Sequence, residues 1–159
     1  MARRYGRAPK NERLIAQVPH SHWKTTTFIA ALTLHGVVAP MVTDGPINGA
    51  LFRKYVQAFL CPLLTKGDMV VMDNLSSHKV AGMKEAIEAT GAALLYLPPY
   101  SPDFNPIEQY FSQFKAVLNK TAARTVGALW AAIGALYDAV TATHCNNFFY
   151  KAGYAVRKL

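Results

Sequence analysis

The chain has 159 residues, 52% of them hydrophobic, enough to bury one sizeable core and short for two domains of ordinary size. Seventeen Lys and Arg stand against nine Asp and Glu, and the resulting charge of +8 attracts polyanions, so DNA or RNA is the expected partner. Cys61 and Cys145 lie far apart and outside any Cys/His ligand spacing, which argues against a disulfide framework or a zinc site and fits a reducing, intracellular setting.

The first eleven residues are basic and irregular, and no apolar run follows Arg3-Arg4-Tyr5-Gly6-Arg7, so the start does not read as a secretory signal. Strands are expected over residues 13–18, 24–34 and 37–43. The stretch 25–43 carries no Asp, Glu, Lys or Arg and approaches the length of a membrane span, but His35-Gly36 and Pro40 interrupt it. Its Thr, Ile and Val content suits two strands joined by a tight turn, and no membrane partner is expected. Asn48 can cap a helix whose apolar residues Leu51, Phe52, Tyr55, Val56, Phe59 and Leu60 recur at helical spacing up to Cys61-Pro62.

Residues 65–68 form a turn, and Met69-Val70-Val71-Met72 is an unbroken apolar run of the kind found in strands covered on both faces. A helix over 80–90 stopped by Gly91 and a second buried strand over 92–97 complete a strand, helix, strand unit with parallel strands. The expected fold is therefore α/β, a mixed sheet flanked by helices. Residues 98–106, with four prolines, make a stiff shaped loop rather than a strand. Helices are expected over 106–120, 125–139 (Leu129, Ile133 and Leu136 in phase) and 143–152. A single domain accommodates all of this, with a C-terminal helical part from about residue 121.

Two acids stand out. Asp73 ends the apolar strand, where active sites of open α/β sheets gather, and Glu108 sits in the first turn of a helix; residues 74–107, thirty-four of them, lie between. Each has a plain structural alternative. Asp73-Asn74 can start a turn, and Asn105, Pro106 and Glu108 match the N-cap, first and third positions of a capping box. Asp44, Asp68 and Asp103 sit at a strand end, a turn and the proline loop, and are read as structural.

His78 and Lys79, shortly after Asp73, and Lys115, two turns beyond Glu108, are candidate phosphate contacts; Arg53, Lys54, Lys120 and Arg124 are weaker ones, equally readable as solvated charge. His20 and His22 lack a third ligand and read as polar surface.

The run Val70-Val71-Met72-Asp73-Asn74-Leu75-Ser76-Ser77-His78, followed by Leu95-Tyr96-Leu97-Pro98-Pro99-Tyr100-Ser101-Pro102-Asp103-Phe104-Asn105-Pro106-Ile107-Glu108, resembles the catalytic core of Tc/mariner-type DDE transposases, most closely the bacterial insertion-sequence branch numbered 630. The likeness extends along the whole chain. It implies an RNase H-like fold in which three acids hold two Mg²⁺ (or Mn²⁺) ions that drive in-line attack on a DNA phosphodiester.

Asp73 matches the family's second acid and Glu108 its third. The first acid of the family, in a Phe-x-Asp-Glu-like strand, and the helix-turn-helix region are not matched, so the resemblance implies an N-terminally truncated catalytic domain lacking its first central strand. Its expected partners are transposon-end and target DNA, a second copy or a complementing N-terminal polypeptide, in the nucleoid-associated cytoplasm of a bacterium. A non-catalytic DNA-binding or interfering remnant and a junction-resolving nuclease of the same fold are the competing readings.

Overall fold

The computed structural model describes residues 7–13, 15, 25–121, 123 and 125–155. The strand expected over 13–18 falls mostly outside them, as do His20, His22 and Arg124. The chain parses into two compact units interleaved in sequence: Lys24–Tyr110 with Val140–Leu159, and Met1–Trp23 with Phe111–Ala139.

The first of these holds both sheets. β1 (Thr26–Leu32) and β2 (Val37–Asp44) pair antiparallel. Thr33 closes their turn, its backbone N–H donating to Gly36 O at 2.8 Å while its Oγ1 accepts from the backbone N–H groups of His35 and Gly36, both at 3.2 Å. The stretch that could have been mistaken for a membrane span is thus a hairpin, and no single helix among the described residues is long and apolar enough to cross a membrane. The register of the pair shifts between Ile29 and Ala31, opposite Pro40, which cannot donate to a ladder. Beside it Ala39 adopts φ +51°, and its carbonyl accepts a 2.8 Å bond from the buried Tyr55 hydroxyl. Burial also pushes the Tyr55 hydroxyl pKa well above its ordinary value, keeping it a donor. Tyr55→Phe should therefore leave the bulge carbonyl unsatisfied and lower stability by about 1–2 kcal/mol in urea denaturation.

Asn48 caps α1 (Gly49–Tyr55), its Oδ1 accepting from Leu51 N at 2.9 Å. The helix then widens into a π turn, Val56–Leu60, and a 3₁₀ turn, Cys61–Leu63, at Pro62. The extra residue in the π turn shifts the helical register, so Leu60 is buried while Phe59, expected on the apolar stripe, is 44% exposed.

β3 (Met69–Met72) and β4 (Ala93–Tyr96) pair in parallel, Met72 opposite Tyr96, joined through α2 (Met83–Glu88). The turn before β3 forms as expected, Asp68 Oδ2 accepting from Thr65 N at 2.7 Å. α2 starts later than the apolar pattern suggests because Gly82, at φ +83°, turns the chain immediately before it. At its far end Gly91, φ +87°, lies where an added Cβ would come 3.1 Å from Lys66 Cα, so the turn requires glycine.

The strands form two two-stranded sheets among the described residues, one antiparallel and one parallel, flanked by helices. The expectation that β3 and β4 are covered on both faces needs correction. Val70, Met72, Leu94 and Tyr96 meet a core built on Phe52, Tyr55, Val56, Met83 and Ile87, whereas Met69 and Leu95 on the opposite face are 64% and 50% exposed. That core also takes in Ile29, Ala39 and Met41 from the hairpin, so packing joins what hydrogen bonding does not.

α5 (Ala142–Lys151) completes this unit. Thr141 and His144 cap it reciprocally, each backbone N–H donating to the other's side chain at 3.3 Å, and Asn146 Nδ2 donates to Leu34 O at the hairpin turn. α3 (Pro106–Thr121) begins in this unit and continues into the other. Helical spacing predicts an apolar stripe of Ile107, Tyr110, Phe111, Phe114 and Leu118; Tyr110, Phe114 and Leu118 are buried, and Ile107 and Phe111 half-buried. In the second unit α4 (Val126–Asp138) is capped by Thr125 Oγ1, accepting from Ala128 N at 3.1 Å, and buries Ile133, with Leu129 and Leu136 half-buried.

Candidate active site

The parallel ladder decides where the site forms. Leu97 N donates to Met72 O at 2.8 Å, so Asp73, next after Met72, and Pro98, next after Leu97, leave the sheet side by side at its carboxyl end. The proline loop then turns through a short 3₁₀ segment, Pro102–Phe104, where Asn105 N donates to Pro102 O at 2.9 Å, and enters α3 at Pro106. Tyr154 Oη holds the loop from outside by donating to Phe104 O at 3.0 Å. The result is a cleft of about 500 Å³ lined by Asp73, Asn74, Pro98, Tyr100, Asn105 and Glu108 among others. Both sequence-predicted acids therefore face one cavity.

Their local alternatives fare differently. The Asp73 carboxylate does take part in a turn, accepting from Leu75 N at 3.4 Å, a long bond that leaves most of its hydrogen-bonding capacity available. The capping box proposed for Glu108 does not form. Glu108 N bonds the Asn105 backbone carbonyl at 3.1 Å, and neither the Glu108 carboxylate nor the Asn105 amide makes a side-chain hydrogen bond among the described residues. Glu108 is exposed, free to serve a ligand rather than its own helix.

His78 is held more firmly than its place in a short 3₁₀ turn, Ser76–His78, suggests. Its ring stacks on Phe52 at 4.2 Å between centroids, its carbonyl accepts from Tyr96 Oη at 2.7 Å, and its Nδ1 stands 2.5 Å from Asp73 Oδ1. The last contact is a close electrostatic pairing without hydrogen-bond alignment. His78 thus faces the carboxylate rather than solvent. Lys79 lies over the Tyr96 ring, 5.7 Å from its centroid, and lines no part of the cleft.

Lys115 is exposed and belongs to the other unit, as does Lys120. Arg53 donates to Ala81 O at 3.3 Å, and Lys54 is exposed. Asp44 and Asp103 are exposed, and neither lines the cleft.

Sequence reasoning overlooked Asn74 and Tyr100. Asn74 adjoins Asp73, and its Oδ1 is buried without a hydrogen-bond partner among the described residues, an arrangement that leaves an oxygen lone pair to be satisfied by something else. Adjacency to the acid was the signal available. Among the described residues no three His, Cys, Asp or Glu side chains gather into a metal-holding group. Two carboxylates and an amide oxygen form a hard donor set suited to Mg²⁺ or Mn²⁺, and their residues fit such an ion as part of its ligand shell.

The fold is that of the RNase H-like catalytic domains, as similarity to solved structures shows. The chain aligns with the Mos1 transposase paired-end complex with left transposon end at a TM-score of 0.73 and 15% identity, over 96% of this chain and 47% of that one. The Mos1 mariner paired-end complex with Mn gives 0.72 and 16%, over 91% and 45%, and the catalytic domain of Mos1 mariner transposase gives 0.64 and 14%, over 81% and 74%. The chain spans about half the length of the first two. No curated protein matches it. A family model described as DDE superfamily endonuclease matches residues 1–129, and the chain belongs to that family.

Proposed function

We propose that this chain is the catalytic domain of a cut-and-paste DNA transposase of the Tc/mariner type, related to the bacterial insertion-sequence branch numbered 630, with Asp73 and Glu108 as its second and third catalytic acids. The observation that carries the reading is the convergence of these two carboxylates on one cleft within a DDE superfamily endonuclease domain. Asp73, Glu108 and the Asn74 carbonyl would hold the divalent ions of the family. Bound ions supply a polarised water or 3′ hydroxyl and charge neutralisation at the leaving oxygen. The chain's own residues orient that chemistry: the His78 imidazole stands beside the Asp73 carboxylate, and the proline loop leads directly into the helix that carries Glu108. Acting on transposon ends and target, the protein would work at the bacterial nucleoid.

A further strand would complete the domain. β3 pairs with β4 alone among the described strands, so the other edge of the strand that leads into Asp73 would accept a partner, and the two acids have no third beside them among the described residues. A Phe-x-Asp-Glu-like strand, from a longer form of the protein or a complementing polypeptide, would meet both needs. The same two observations favour, for this stretch by itself, a second reading: a DNA-binding module that pairs with intact transposase and interferes with it.

The purified chain should bind transposon-end duplex DNA with an affinity that falls steeply as salt rises, and should not nick it with Mg²⁺ or Mn²⁺. Nicking should appear once the proposed further strand is supplied. Failure to retain DNA even at low salt would overturn the nucleic-acid reading, Asp73-dependent nicking by the chain alone would overturn the need for a further strand, and preference for branched junctions over transposon ends would favour a resolvase.

A further inference from the structure

Tyr100 is 104% exposed, the most exposed large hydrophobic side chain among the described residues, and it lines the cleft that holds Asp73 and Glu108. Its backbone is left-handed at φ +56°, a strained conformation for a bulky aromatic. The loop enforces that conformation. Pro98 and Pro99 precede Tyr100, Pro102 follows within two residues, and Ser101 Oγ donates to Pro99 O at 3.3 Å. Phe104, 53% exposed on the same loop, is anchored through its carbonyl to Tyr154. A fully exposed ring, held in water by a strained and proline-stiffened backbone, is preorganised for a ligand rather than for the core.

The chemistry of that ligand is set by its neighbours. The chain carries +8 and brings polyanions to itself, while the two carboxylates mark the cleft as the place of a phosphodiester. Beside a phosphodiester, the group that an aromatic face recognises without regard to sequence is a nucleobase, and only an unpaired or extruded base offers a free π-face. We infer that Tyr100 is a stacking platform for an unpaired nucleobase adjoining the phosphodiester at Asp73 and Glu108. This inference rests on the DNA substrate proposed above and adds to it a demand for local unpairing at the strand end or nick being processed.

The test uses the whole chain without metal ions, at low salt, with two duplexes of equal length: one blunt, one ending in a short single-stranded extension containing 2-aminopurine. The wild type should prefer the extended duplex and quench the 2-aminopurine. Tyr100→Ala should lose about 5- to 100-fold in affinity for the extended duplex, the range of one base–aromatic stack, with little change for the blunt one. Tyr100→Gly, which suits the left-handed backbone, should lose the same preference, and Tyr100→Phe should retain both preference and quenching.

Equal binding of the two duplexes by the wild type, an unaltered preference in the Ala and Gly variants, or equal loss on both duplexes would each overturn the inference while leaving the DNA reading in place. Wild-type protein that binds neither duplex would overturn the DNA reading and the inference together.

Discussion

Asp73→Asn, made in a form of the protein that cleaves DNA, is expected to reduce metal-dependent cleavage of transposon-end DNA by ~10³-fold, with DNA binding in the absence of metal unchanged or slightly tighter. The size reflects removal of a group that stabilises charge mainly in the transition state, for which losses of 10²–10³ are usual. The direction on binding is set by charge, since the amide no longer repels phosphate. Glu108→Gln should behave alike. The double variant should be little worse than either single one, because carboxylates that serve one ligand shell act as a unit and their losses do not add.

Single-turnover cleavage and metal-free DNA retention separate this from simple unfolding. Variants that fold, bind DNA and still cleave within tenfold of the parent would remove Asp73 and Glu108 from the catalytic set. His78→Ala gives a graded comparison: it leaves both carboxylates in place and removes the imidazole 2.5 Å from Asp73 Oδ1 together with its stack on Phe52, so its loss of cleavage should be smaller.

Ile87→Ala should be a severe core truncation, at about 2–5 kcal/mol. Ile87 is 0% exposed on α2 and sits in the core that α1 and its π turn build against both sheets. Removing its outer carbons loses burial and leaves a cavity among the other fully buried side chains of this core, Val56 and Met83. For a domain whose whole stability is of order 5–15 kcal/mol, that is a large fraction. Urea unfolding of Ile87→Ala beside Leu95→Ala checks the packing directly. Leu95 is 50% exposed, and its truncation should cost much less. Equal losses would mean that the outer face of β3 and β4 is covered in solution.

Much of this architecture is legible without coordinates. Helical spacing marks Tyr110, Phe114 and Leu118 as the buried side of α3, Asn48 and Thr125 announce their helix starts, and the apolar runs at 69–72 and 92–97 become the parallel pair. These signals are local: a cap, a period or a turn residue acts within a few positions, so the sequence carries them openly. The acids Asp73 and Glu108 stand out in the sequence through the motif around them, although Asp73 taken singly reads equally as a turn residue and Glu108 taken singly reads first as a capping residue.

What the sequence by itself determined is the set of elements, the chemical character of the two carboxylates and the stiffness of the proline loop between them. Only the tertiary structure decided that the strands make two sheets joined by packing, that the π turn swings Phe59 outward, that Glu108 leaves its capping position open, and that His78 turns toward Asp73 on the face of Phe52. Each of these depends on partners distant in sequence or on a one-residue change in helical register. Pattern and propensity act over a turn or a strand, whereas the cleft exists because the parallel ladder of β3 and β4, ending in the bond from Leu97 N to Met72 O, aligns two segments about twenty-five positions apart.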